Sequence, residues 1–80
     1  MRVKLLFFAS YAETLGRPEA SLELAAGATV ADCVAAVLAD PAARRMPPRP
    51  LVAVNQRYAR PETALADGDE VAFIPPVAGG

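Results

Sequence analysis

The group best placed for chemistry lies in the last six residues, Pro75-Pro76-Val77-Ala78-Gly79-Gly80. Two glycines at the end leave a free carboxylate on backbone with no side chain near it. Pro75 and Pro76 carry no N–H and hold φ near −65°. They stop the strand before them and start the tail on an extended, polyproline-like path. Six residues reach at most about 20 Å, at ~3.3–3.6 Å each. Such an arm is thin enough to carry an acyl end into a tunnel that admits no Cβ. A frayed terminus is the plainer reading of the same residues. No set of side chains competes with the tail as a reactive centre. The chain has no histidine and one cysteine, which excludes a Ser-His or Cys-His pair and argues against a zinc or transition-metal site. Gly16, Gly27 and Gly68 are isolated turn residues and form no phosphate loop. No close acid pair suggests glycosidase chemistry. Asp67, Asp69 and Glu70 would hold calcium weakly at best, because their spacing is not that of an EF-hand loop.

Composition bounds the scaffold behind the tail. Eighty residues suffice for one domain with one core, and at 54% hydrophobic content the chain can fold without a metal or disulfide staple. One cysteine forms no intrachain disulfide and fits a reducing compartment. A net charge of −1 with scattered basic residues gives no nucleic-acid footprint. The apolar run Leu5-Leu6-Phe7-Phe8-Ala9 is shorter than the roughly 7–15 residues of a secretory h-region. No stretch approaches the ~20 residues of a membrane span. The expectation is a soluble, cytoplasmic protein that engages neither membrane nor nucleic acid.

The elements that position the tail read in order. Val3 to Ala9 is a strand with Val3, Leu5 and Phe7 on one face and Lys4, Leu6 and Phe8 on the other. Its second face is polar only at Lys4, so the strand is either covered on both faces or turns an apolar face to a partner. Ser10 to Leu15 is a turn or short helix stopped by Gly16. Glu19 to Leu24 returns as a second strand, so a hairpin with the first is expected. Thr29 opens the main helix, with Asp32 three residues on as a capping-box variant. Val30, Cys33, Val34, Val37 and Leu38 form its apolar stripe. Cys33 therefore reads as a buried small hydrophobe. A redox or persulfide role would need an exposed thiol of low pKa. Asp40-Pro41 ends the helix, and Pro41 to Pro50 reads as a solvated loop with one helical turn at Ala42 to Arg45. Its Arg44, Arg45 and Arg49 would be the place to meet an acidic partner or a phosphate. Leu51 to Val54 is a strand, Asn55-Gln56 its turn and Arg57 to Ala59 a short return. Leu65 anchors an irregular segment, Asp67-Gly68 turns it, and Glu70 to Ile74 is the last strand. The first and last strands are both strongly apolar, which predicts central positions in a mixed sheet folded across one helix.

Leu6-Phe7-Phe8-Ala9, Ala53-Val54-Asn55-Gln56, and Leu65 with Asp67-Gly68-Asp69-Glu70-Val71-Ala72-Phe73 running into the tail carry a further signal. Across nearly the whole chain, in order and spacing, the sequence resembles the MoaD-type sulfur carriers of the MoaD/ThiS group of ubiquitin-like proteins. The last fifteen residues are the specific part. Where many relatives place an arginine before the glutamate of the first turn, this chain has Ala12 beside Glu13.

The resemblance implies an α+β, β-grasp (ubiquitin-like) fold of four to five strands on one main helix over residues 1–74, with 75–80 as an extended tail. It implies the small subunit of molybdopterin synthase, without a bound cofactor or metal, working with a large catalytic subunit in a heterotetramer. An E1-like enzyme would use ATP to adenylate Gly80, and a sulfur donor would convert it to a thiocarboxylate. That sulfur would then be passed to a cyclic pyranopterin monophosphate to build a dithiolene. Gly79 and Gly80 would be the reacting end, and Pro75, Pro76, Val77 and Ala78 the arm held by partners. Alternation adds Phe8, Tyr58 and Ile74 on positions facing away from the helix, a candidate partner patch at the root of the tail. Scattered surface apolar residues are the plainer reading. Two other functions share a double-glycine end. One is a carrier for thiamin thiazole synthesis, whose chains tend to be shorter and lack the Phe73-Ile74-Pro75-Pro76-Val77 run. The other is a ubiquitin-like modifier joined to lysine.

Overall fold

The computed structural model describes residues 1–76. Strand β1 (Arg2–Phe7), helix α1 (Ser10–Leu15), strand β2 (Glu19–Glu23), helix α2 (Val30–Leu38), a 3₁₀ turn (Pro41–Ala43) and strands β3 (Leu51–Val54), β4 (Arg57–Tyr58) and β5 (Glu70–Ile74) follow in order. They make one five-stranded sheet in the order β2-β1-β5-β3-β4. β1 and β5 lie in the middle, as their apolar sequences predict. They run parallel, with Leu5 opposite Val71 and Phe7 opposite Phe73, while the other pairs are antiparallel. This mixed sheet over one main helix is the β-grasp arrangement.

The inner face follows from period-2 alternation. Val3, Leu5 and Phe7 from β1 meet Val71 and Phe73 from β5, Val52 from β3, and Val30, Cys33 and Val37 from α2. The Phe7 and Phe73 rings lie 5.6 Å apart at 51°, a tilted aromatic contact in the centre of the core. Leu65 is buried as expected. α2 starts on the capping box read from the sequence. The Asp32 N–H donates to Thr29 Oγ1 at 3.3 Å, and the Thr29 N–H donates to Asp32 Oδ2 at 2.8 Å.

Three expectations are corrected. β1 stops at Phe7, not Ala9, because Ala9 turns to φ 47° and leads directly into α1, which buries Tyr11. β2 and β4 each end one residue early, at Glu23 and Tyr58. The 41–50 segment is not simply a solvated loop. Its helical turn falls at Pro41–Ala43, capped where Asp40 Oδ1 accepts the Ala42 N–H at 2.9 Å, and it delivers Ala43 and Met46 to the core.

A long-range polar clamp ties the β3–β4 turn to the turn before β5. Asn55 Nδ2 donates to Asp69 Oδ1 at 3.0 Å, and Asn55 Oδ1 accepts the Glu70 N–H at 3.0 Å. Asp69 Oδ2 accepts the Ala66 N–H at 2.8 Å, and Asp67 Oδ1 accepts the Arg2 N–H at 2.8 Å. These carboxylates are engaged in shaping backbone, which supports the turn reading over a calcium site. Asn55 also sits at φ 49°, a region that asparagine tolerates better than most residues. Asn55→Ala is expected to lower the unfolding free energy by about 2 kcal/mol in urea titration, since it removes two hydrogen bonds and keeps the unfavourable φ.

Candidate functional site

The site is built on the face of the sheet that α2 does not cover. On β1 and just beyond it, Leu6 and Phe8 point outward. On β5, Ala72 and Ile74 point the same way, and Leu6 pairs with Ala72. Ala72 pairs with Ala53 on β3, and Ala53 with Tyr58 on β4. The row Leu6–Ala72–Ala53–Tyr58 therefore crosses four strands on one face. The two alanines form a floor between larger side chains. Leu6, Phe8, Tyr58 and Ile74 wall the resulting depression, with Gln56 and Glu70 at its rim. Phe8 is 48% exposed and Tyr58 73% exposed.

The three residues expected to make a patch, Phe8, Tyr58 and Ile74, thus share one depression. Leu51 escaped the sequence reading. It lies opposite Ile74, two residues from Ala53, and is 48% exposed. Alternation from Ala53 places it outward, but only the register with Ile74 puts it beside the tail. Leu6, on the same face as Phe8 by alternation, joins the patch as well.

Parallel pairing decides where the tail emerges. Because β1 and β5 run the same way, their ends lie side by side, and the Phe8 N–H donates to the Phe73 carbonyl at 3.3 Å. Pro75 and Pro76 follow Ile74 outside any regular element, so the arm begins at the apolar edge of the depression. The expectations for Val77, Ala78, Gly79 and Gly80 lie outside the described residues.

The surroundings of the patch are weakly charged. Arg2 Nε lies 2.8 Å from Glu23 Oε1 at the end of β1 away from the tail root, and Lys4 Nζ lies 3.6 Å from Oε2 of Glu19, which stands opposite Leu6. Such exposed pairs contribute little to stability. No group of three or more His, Cys, Asp or Glu among the described residues has metal-site geometry.

Cys33 is fully buried, and desolvation pushes its thiol up to about 11. The hydroxyl of Tyr11, buried with no hydrogen-bond partner among the described residues, is pushed upward by the same cause. Neither group offers an accessible nucleophile at neutral pH. For both acids the folded state holds the proton more tightly than the unfolded chain. For Cys33 that contribution is complete below the ordinary thiol value of 9.0 and is lost as pH rises toward about 11. Unfolding free energy is expected to fall by roughly 2–3 kcal/mol across that range through Cys33 alone. Cys33→Ala should flatten the slope, as measured by urea titration at a series of pH values.

Comparison with known proteins gives a consistent picture. The ThiS family model matches residues 5–80. The molybdopterin synthase sulfur carrier subunit of Chlamydomonas reinhardtii is 43% identical over 83 residues, covering 100% of both chains. The protein of the same description from Mycobacterium tuberculosis is 39% identical over 82 residues, covering 100% of this chain and 99% of its own. Among solved structures, SAMP1 of Haloferax volcanii superposes with a TM-score of 0.87 at 30% identity, covering 100% of both chains.

Proposed function

The chain belongs to the ThiS family, and on that premise we propose that it is the sulfur-carrier subunit of a molybdopterin synthase, with Gly80 as the carrying residue. The observation that carries this reading is the full-length similarity to sulfur carrier subunits, with the family match running through residue 80. The apolar depression at the root of the arm supports it, because a carrier must dock before its end can be threaded into a partner.

The chemistry follows from what a carboxylate lacks. It is a poor electrophile, since its leaving group would be oxide. An E1-like partner makes it reactive by letting a Gly80 oxygen attack the α-phosphorus of ATP. Pyrophosphate leaves and an acyl-adenylate remains. A sulfur nucleophile from the donor attacks the acyl carbon, and AMP leaves with the oxygen. The resulting thiocarboxylate carries a soft, polarizable sulfur. In the large subunit that sulfur attacks a carbon of a cyclic pyranopterin monophosphate and displaces an oxygen substituent from it, and water then cleaves the acyl carbon–sulfur bond, leaving the sulfur on the pterin and restoring the Gly80 carboxylate. Two sulfurs per dithiolene require two charged carriers, which fits a heterotetramer of two small and two large subunits. Acid, base and phosphate contacts come from the large subunit. What this chain supplies is docking and reach.

The depression formed by Leu6, Phe8, Tyr58, Ile74 and the neighbouring Leu51 is the surface we assign to that docking. Aromatic and aliphatic anchors over an alanine floor match the anatomy of an interface hot spot. A cytoplasmic setting, where ATP is at hand, fits the single unpaired thiol. No helix of the described residues is long and apolar enough to cross a membrane.

A second reading, a protein modifier joined through Gly80 to a lysine, is favoured by the likeness to SAMP1, known from a further structure as small archaeal modifier protein 1. Isopeptide-linked conjugates in extracts of the source cell would favour it over the carrier reading.

Two outcomes test the carrier. Deleting Gly80 should abolish sulfur transfer to the pterin precursor and shift the unfolding free energy by less than about 0.5 kcal/mol, the range of surface changes. The described core draws on no residue after Phe73. A large loss of stability on deletion would contradict it. Phe8→Ala and Tyr58→Ala should weaken binding to the large subunit at least tenfold, read by calorimetric titration. Their unfolding free energies should fall by no more than about 1 kcal/mol. The reverse pattern would place these side chains among the structural ones.

A further inference from the structure

Helix α2 is apolar on more than the side it turns to the sheet. From Val30 to Leu38 its only polar side chain is Asp32, which is engaged in the cap. Val30, Cys33 and Val37 are buried in the core. Ala31, Val34, Ala35 and Leu38 recur at i, i+3, i+4 and i+7 and make a second stripe, exposed at the alanines and half-buried at Val34 and Leu38. A helix lying on one face of a sheet ordinarily turns charged residues to solvent there. Here the second stripe lines a groove of about 430 Å³, with Pro48 and Pro50 on its other side. That volume suits a short segment or a small ligand. Too few residues line it for a stable dimer, which takes roughly 20–30 a side.

Charge and position decide what fits. Arg49 is the only charged residue lining the groove; it is exposed and makes no ion pair among the described residues. An apolar groove with an unpaired guanidinium suits an apolar segment that carries a carboxylate. Pro50 directly precedes Leu51, which pairs with Ile74. Alternation turns Leu51 to the outer face and Pro50 to the side of α2. The root of the arm therefore has the docking depression on one side and this groove on the other.

A sulfur carrier has a use for two such faces. While the acyl-adenylate exists, the adenylating enzyme holds the chain, and the donor must reach the same carbon. Two partners on one face would exclude each other. Resting on the carrier reading, we propose that this groove is the docking site of the sulfur donor, a protein that presents an apolar segment bearing a carboxylate and carries its sulfur as a cysteine persulfide. The terminal persulfide sulfur attacks the Gly80 acyl carbon, and AMP leaves with the oxygen. A thiol then attacks the donor's cysteine sulfur and breaks the S–S bond. The thiocarboxylate leaves with the electron pair, and the donor ends in a disulfide with that thiol.

The test follows the sulfur gained at Gly80 by non-reducing mass spectrometry, as thiocarboxylate or as its acyl-disulfide conjugate, with ATP and the adenylating enzyme present. Two donors are compared: free sulfide, which needs no docking, and a persulfide-loaded sulfurtransferase of the same organism. Ala35→Glu puts a carboxylate into the groove at an exposed position, with a residue that favours helix. Arg49→Glu reverses the charge. Each should slow transfer from the sulfurtransferase at least about fivefold, and Arg49→Lys should retain most of the rate. Transfer from sulfide should stay within about twofold for all three, as for other surface changes. The proposal is overturned if the sulfurtransferase serves the variants as fast as the unsubstituted chain, or serves no chain faster than sulfide does. It is overturned equally if both donors slow together, which would give the groove to the adenylating enzyme, or if sedimentation shows a dimer that Ala35→Glu dissociates. If the unsubstituted chain gains sulfur from neither donor, the carrier reading itself fails.

Discussion

The parallel pairing of β1 with β5 is the contact on which the rest depends. It joins the beginning of the chain to residues 70–74 and places Leu5 against Val71 and Phe7 against Phe73. Closing a loop of that length costs entropy before any contact repays it. The return comes from the inner face, where the two strands bury Val3, Leu5, Phe7, Val71 and Phe73 under α2. The direction of pairing matters as much as the burial. Parallel strands finish at the same edge, so Phe8 and Ile74 emerge together and the tail leaves from between apolar neighbours. An antiparallel pair would have put Phe8 beside the acidic start of β5.

One helix covers one face of the sheet, and that leaves the other face of the central strands to solvent. The chain handles this unevenly. Near the start of β1 the outer face carries Arg2 and Lys4, each paired with a glutamate of β2. Toward the tail it carries Leu6, Phe8, Leu51, Tyr58 and Ile74 over two alanines. A protein with no further use for this face would continue the charged pattern to the end. The apolar half is the surface proposed for docking, and it adjoins the root of the arm.

Much of this was legible from residue order. Alternation in Val3 to Phe8 and in Glu70 to Ile74 marked both strands and sorted both faces, because period 2 is geometric and survives any packing. Thr29 and Asp32 marked the start of α2, since capping is local. The parts that were not legible depend on register or on backbone angles without a residue signature. Nothing in the proline-rich segment marks Ala43 and Met46 as core, because a 3₁₀ turn leaves too short a pattern to read. Leu51 joins the patch only through its partner Ile74. Asn55 reads as a turn residue, and its clamp onto Asp69 and Glu70 joins two turns brought together only by the pairing of β3 with β5. Ala9 carries no sign of its positive φ, as alanine is ordinarily a helix former. The reading of Gly79 and Gly80 rests on residue type alone, since they lie outside the described residues: two glycines after two prolines put no side chain beside the acyl end.

The most direct measurement is intact-protein mass spectrometry after incubation with ATP, an E1-like adenylating enzyme from the same organism and a sulfide donor. A carrier gains the mass difference between sulfur and oxygen, once, and fragmentation maps the change to Gly80. An unchanged mass, with the enzyme shown active on another carrier under the same conditions, contradicts the sulfur-carrier function.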